Sequence, residues 1–134
     1  MYLLDTCTFI WYAETGSRLP KDIRELIDNG DNDIFVSIAS LWEIAIKQTI
    51  GKLDDIKMTM FELAEHCREN RIIILPLELS YLEKTKQLPL IHRDPFDRII
   101  MATAIEEHYT LITCDSNIMK YDEVKCLWEK PKEE

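Results

Sequence analysis

The chain has 134 residues, 46% hydrophobic and 31% charged, with a formal net charge of −9. That size supports one domain whose core needs neither a disulfide nor a structural metal. No run approaches the ~20 apolar residues that cross a bilayer, and the acidic excess excludes a passive nucleic-acid coat, whose affinity comes from neutralising phosphate.

Strand-like and helix-like segments alternate along the chain. Met1–Leu4 is a short apolar strand, Thr8–Ala13 a helix, and Thr15-Gly16-Ser17 a turn. Pro20–Asp28 is a helix with Ile23, Leu26 and Ile27 on one face and Asn29-Gly30 as its stop. Ile34–Ser37 is a strand, and Leu41–Ile50 a helix ended by Gly51. Thr59–Glu69 is a helix with Phe61, Leu63, Ala64 and Cys67 inward, and Ile72–Leu75 is a continuous apolar strand. Glu78–Gln87 and Phe96–Glu107 are helical, Thr110–Cys114 and Val124–Trp128 are strands, and Asn117–Lys120 is a helical turn between them.

Strands that are apolar without alternation, Ile72–Leu75 above all, are the mark of a sheet buried on both faces. With helices between the strands, the pattern predicts a three-layer α/β/α domain around a mostly parallel sheet of about five strands. Residues 1–128 form this single domain, and 129–134 read as a frayed polar tail. The first residues enter a strand with no basic leader, so no signal peptide is expected. The four cysteines, Cys7, Cys67, Cys114 and Cys126, show no C-x-x-C or zinc-finger spacing. They read as buried reduced thiols in a cytoplasmic protein.

Four acids fall at element ends. Asp5 follows the first strand and Asp115 follows Leu111–Cys114, while Glu43 and Asp97 lie in the openings of helices. In a parallel sheet, ligands bind beyond the carboxyl ends of the strands, near the reversal in strand order. Each acid also has a purely structural reading. Ser40-x-x-Glu43 is a capping-box pattern, although Ser37 is an equal candidate to start that helix, and Lys47 is placed for an i,i+4 pair with Glu43. Asp94-Pro95 reads as an N-cap followed by proline at the first helical position, which frees Asp97 to face a ligand. Asp5 and Asp115 are each placed to cap the turn that follows. Two carboxylates ~4 Å apart repel by roughly 4 kcal/mol at an effective dielectric of 20. Four gathered at one edge therefore require a cation or raised pKa values, and hard oxygen ligands suit Mg2+ or Mn2+. His66, His92 and His108 lack zinc-ligand spacing, but His92-Arg93 immediately precedes the Asp94–Asp97 segment and is a candidate to face a phosphate.

Four blocks, in this order and spacing, carry a resemblance. They are Leu3-Leu4-Asp5-Thr6, Val36-Ser37-Ile38-Ala39-Ser40-Leu41-Trp42-Glu43-Ile44-Ala45-Ile46-Lys47, His92-Arg93-Asp94-Pro95-Phe96-Asp97-Arg98 and Leu111-Ile112-Thr113-Cys114-Asp115. Together they resemble the PIN-domain ribonucleases, and most of all the VapC-type toxins of bacterial type II toxin–antitoxin modules. The resemblance implies a PIN-like α/β/α fold and an acidic quartet of Asp5, Glu43, Asp97 and Asp115 around Mg2+ or Mn2+. It also implies a homodimer, an RNA substrate and a cognate antitoxin whose segment occludes the site. Cys7 departs from relatives, which often carry a more polar or imidazole side chain there.

The expected chemistry is metal-assisted hydrolysis of RNA phosphodiesters, with Asp5, Asp97 and Asp115 holding the ion and Glu43 orienting or deprotonating water. Thr6 and Thr113 are candidates to bond a metal-bound water, and Arg93, Arg98 and Lys47 to steady the phosphate. The competing reading is a non-catalytic interaction module on the same fold, its acids serving as caps or as a regulatory ion site. Phosphoryl transfer through Asp5 fits less well, since Cys7 stands where a partner acid is wanted.

Overall fold

Short apolar runs become strands and the amphipathic segments between them become helices. A computed structural model describes residues 1–14, 18–53 and 56–128. In chain order the elements are β1 (Tyr2–Leu4), α1 (Thr6–Ala13), α2 (Lys21–Asp28), β2 (Ile34–Ser37), α3 (Ile38–Thr49), α4 (Met60–Glu69), β3 (Ile72–Leu75), α5 (Leu79–Thr85), α6 (Pro95–Glu107), β4 (Thr110–Ile112), a 3-10 turn (Ile118–Lys120) and β5 (Cys126–Leu127). The turn expected at 15–17 and the tail at 129–134 lie outside the described residues.

The five strands form one sheet in the order β3-β2-β1-β4-β5, and every neighbouring pair is parallel. Side-chain alternation divides the core in two. Leu4, Ile34, Val36, Ile72 and Ile112 meet Phe9, Ile23, Ile27, Ile44, Leu63 and Cys67 of α1–α4 on one face. Leu3, Phe35 and Leu111 meet Tyr81 of α5 and Ile100, Met101 and Ala104 of α6 on the other. The register explains this sorting, because Leu3 pairs with both Phe35 and Leu111 and therefore shares their side. Among the described residues, no helix is long and apolar enough to cross a membrane.

Local signals set the helix ends. Thr59 and Glu62 form a reciprocal capping box at α4. Asp94 caps α6, accepting from the amides of Phe96 at 2.8 Å and Asp97 at 3.1 Å. Ser37 starts α3, its hydroxyl accepting from the Ala39 amide at 3.0 Å. The Ser40 alternative is therefore not the cap, and Glu43 lies deeper, in the second turn.

Three expectations are corrected. Phe61, expected inward on α4, is 88% exposed. Ile72–Leu75 is an edge strand rather than a doubly covered one, and Ile73 is 51% exposed. Of the four cysteines only Cys67 is buried, while Cys7 and Cys114 are exposed and Cys126 is half-buried. Cys114 lies past the end of β4, where the chain leaves the layered core.

The strand order builds outward from β1 to β2 and β3, then returns across the sheet to β4 and β5. The reversal lies between β1 and β4, so a crevice is expected at their carboxyl ends.

Candidate metal centre

Asp5 leaves β1 at that crevice. Its amide donates to the Ile112 carbonyl at 3.2 Å, which extends the ladder by one rung. Its Oδ1 accepts from the Thr8 amide at 2.8 Å, so it also caps α1. The residue is only 4% exposed. Burial raises its carboxyl above the ordinary range, hydrogen bonds from Thr113 and Thr8 oppose that rise, and the charge of Asp115 adds to it.

Asp115 divides its two oxygens. Oδ1 accepts from the amides of Asn117 at 2.8 Å and Ile118 at 3.3 Å. Oδ2 stands 3.5 Å from His92 Nε2. The capping reading of these acids is thus correct as far as it goes, but it occupies one oxygen of Asp115 and leaves the other facing the crevice.

Asp97 sits at the third position of α6, where a carboxylate gains from the helix dipole. Its Oδ2 is 2.7 Å from His92 Nε2. Burial pushes its carboxyl up to about 6, the His92 contact pulls it down, and the charges of Asp94 and Glu43 raise it further.

Glu43 enters from α3. It is 8% exposed, and Lys47 Nζ lies 3.2 Å from its Oε2, the i,i+4 pair expected from sequence. Its Oε1 is buried and has no hydrogen-bond partner. An orphaned carboxylate oxygen in the interior is costly. Lys47 offsets the charge of the carboxylate through Oε2, and Oε1 is left without a hydrogen-bond donor.

His92, Asp97 and Asp115 each offer a donor atom, and the three atoms lie within 4.8 Å of one another. Asp5 and Glu43, expected in the same pocket, are not part of this group; the charge of Asp115 bears on Asp5 and that of Glu43 on Asp97. Carboxylate oxygens with one imidazole nitrogen are a donor set that fits a divalent cation.

Several expected phosphate or water contacts are otherwise engaged. The Arg98 guanidinium donates to four carbonyls, from Nη2 to Thr85 at 2.6 Å and Leu88 at 3.0 Å, and from Nη1 to Pro89 at 3.0 Å and His92 at 3.1 Å. It fastens the 85–92 segment onto α6 and does not face the crevice as a free cation. The Thr6 hydroxyl donates to Ser40 at 3.0 Å, and the Thr113 hydroxyl accepts from the Asp115 amide at 3.0 Å. Arg93 is exposed and lines a neighbouring groove. Tyr121, which no sequence motif singles out, fixes the same segment. Its hydroxyl accepts from the His92 amide at 2.8 Å and donates to the Pro89 carbonyl at 2.5 Å.

That groove lies beside the crevice and has a volume of about 790 Å3. It is lined by Trp42, Ile46, Leu77, Leu82, Leu90 and Phe96 among others. Trp42 is 61% exposed and Leu90 69%.

The family model described as PIN domain matches residues 2–124. Among curated proteins, no sequence matches the chain. Among solved structures, the chain is similar to one in VapBC2 from Rickettsia felis bound to a promoter DNA fragment, with a TM-score of 0.67, 19% identity, and 96% of this chain and 98% of that one covered. It is similar to one in DNA-bound VapBC from Salmonella typhimurium, with a TM-score of 0.67, 16% identity and coverage of 94% and 96%. A toxin–antitoxin complex from Klebsiella pneumoniae gives a TM-score of 0.62, 20% identity and coverage of 92% and 95%. At these identities the likeness is one of fold.

Proposed function

The chain belongs to the PIN-domain family, and from that premise we propose that it is a Mg2+- or Mn2+-dependent endoribonuclease, the toxin of a toxin–antitoxin pair. One observation carries the enzymatic reading. Glu43, whose Oε1 is buried and unpartnered, bears by its charge on Asp97, one of the three groups that offer ligand atoms. Caps alone account for Asp5, Asp94 and Asp115, as a non-catalytic module requires, and the Lys47 pair accounts for Oε2 of Glu43, but neither accounts for its buried Oε1.

Asp5, Asp97 and Asp115 would hold the cation. Bound there, it lowers the pKa of a coordinated water and offsets charge on a phosphoryl oxygen. Glu43 orients the attacking water and takes its proton at Oε1, while Lys47 fixes the other oxygen and keeps the carboxylate from turning away. The α6 N-terminus and the Asp94 cap hold Asp97 at the crevice before substrate arrives.

The partner reading rests on the named relatives, which include toxin–antitoxin complexes, and on the charge of −9. A basic antitoxin side chain reaching the acids would stand in for the cation. The groove at Trp42, Leu77, Leu82 and Leu90 suits a second copy of this chain, since its lining is mostly apolar, with Arg93 and Arg98 the charged residues in it.

Asp5→Asn keeps the capping oxygen and removes the charge. It is expected to fold and to lose metal-dependent cleavage of RNA in a purified assay. Wild-type cleavage by that folded variant overturns the assignment.

A further inference from the structure

We propose that His92 supplies its Nε2 nitrogen to the divalent cation, making the centre a mixed nitrogen–oxygen site that favours first-row transition ions over Mg2+. The inference rests on the metal-centre reading above and adds a ligand to it. Nε2 lies between Asp97 Oδ2, at 2.7 Å, and Asp115 Oδ2, at 3.5 Å. Asp115 Oδ2 takes no part in the cap, while Asp97 Oδ2 shares a hydrogen bond with Nε2. On ligation the ion takes the place of the proton in that bond, and the proton is released to solvent.

Donors sharing one ion at about 2.1 Å are separated by at most about 4.2 Å. The observed grouping within 4.8 Å needs only a small inward adjustment. Independently, Glu43 Oε1 is buried without a partner, in a residue 8% exposed whose charge bears on Asp97. The imidazole meets Asp97 and Asp115, and Lys47 meets the other oxygen of Glu43, which leaves Oε1 without a donor.

His92 is also held for the role. Its amide donates to Tyr121 at 2.8 Å, and its carbonyl accepts from Arg98 at 3.1 Å. Both main-chain groups of one loop residue are therefore fixed by side chains from elsewhere in the fold. Such support orients a ligand before the ion binds. Chemically, imidazole is a better donor to transition ions than to Mg2+, which prefers oxygen.

The test uses the whole chain and Mn2+ alone. Electron spin resonance follows Mn2+ binding, and echo-envelope modulation reads nitrogen coupled to the bound ion. Wild type is expected to show nitrogen modulation. His92→Asn should lose it and bind Mn2+ about tenfold more weakly, with Mg2+ affinity, measured by competition, changed far less. His66→Gln and His108→Gln should keep the modulation. The wild-type spectrum decides the matter even if His92→Asn does not fold. Tight Mn2+ binding without nitrogen modulation overturns the role of His92 and leaves the carboxylate centre standing. No Mn2+ binding by wild type overturns both.

Discussion

Arg98 separates a scaffold role from a substrate role most sharply. Its guanidinium donates to the carbonyls of Thr85, Leu88, Pro89 and His92. A hydrogen bond from a charged donor contributes about 1.5–3 kcal/mol when buried. Arg98 is only half-buried, so about 1 kcal/mol for each bond is the appropriate scale, and Arg98→Ala should cost about 4 kcal/mol. That is a large part of the 5–15 kcal/mol typical of a domain. Arg98→Lys carries a compact point charge without the planar fork and should recover less than half of it. With a urea dependence of about 2 kcal/mol per molar, the alanine variant's midpoint should fall by about 2 M. Urea unfolding in chelator, followed by circular dichroism, measures this without reference to activity. An unchanged midpoint together with lost RNA binding would refute the reasoning and return Arg98 to the phosphate.

Other outcomes follow from the same geometry. Burial raises the Asp97 carboxyl from 3.8 to about 6, with Asp94 and Glu43 adding to the rise and His92 opposing it. A raised carboxyl contributes its stabilisation below its unfolded value and loses it as pH climbs through the folded one. The metal-free protein should lose about 2 kcal/mol from this group between pH 4 and pH 7; Asp97→Asn should flatten that slope in urea titrations, and an identical slope in the variant would count against the burial argument. In the proposed dimer, Trp42→Asp should shift sedimentation from dimer to monomer, at a cost of about 1 kcal/mol to the fold from the lost edge-to-face contact with Phe96. A variant that remains dimeric moves the self-association face elsewhere.

Much of the fold is legible because local chemistry agrees with it. Thr59 with Glu62 and Asp94 with Pro95 announce helix starts, and the apolar runs announce strands. Legibility fails where a non-local fact decides. An uninterrupted run such as Ile72–Leu75 fits a central strand and an apolar edge strand equally well, and only the sheet order distinguishes them. Arg98, next to an acid in the chain, resembles a phosphate ligand until the 85–92 segment folds back beneath it. His92 and Asp97 are close in sequence, but the approach of Asp115 to both depends on β4 pairing with β1. Tyr121 carries no sequence signal at all, because its role exists only through the segment that it fastens.

The two rims of the sheet are unequal. At one rim β5 is only two residues long, so it offers little backbone for an incoming strand. At the other, β3 is four aliphatic residues with no charge and no proline within it, stopped only by Pro76. Natural edges are commonly blunted by lysine, proline or a bulge, and this strand has none of them. An extended apolar segment should therefore pair with this edge more readily than with β5. A lysine at Ile73, which is 51% exposed, places a charge on that rim while leaving the inward residues Ile72 and Ile74 in place.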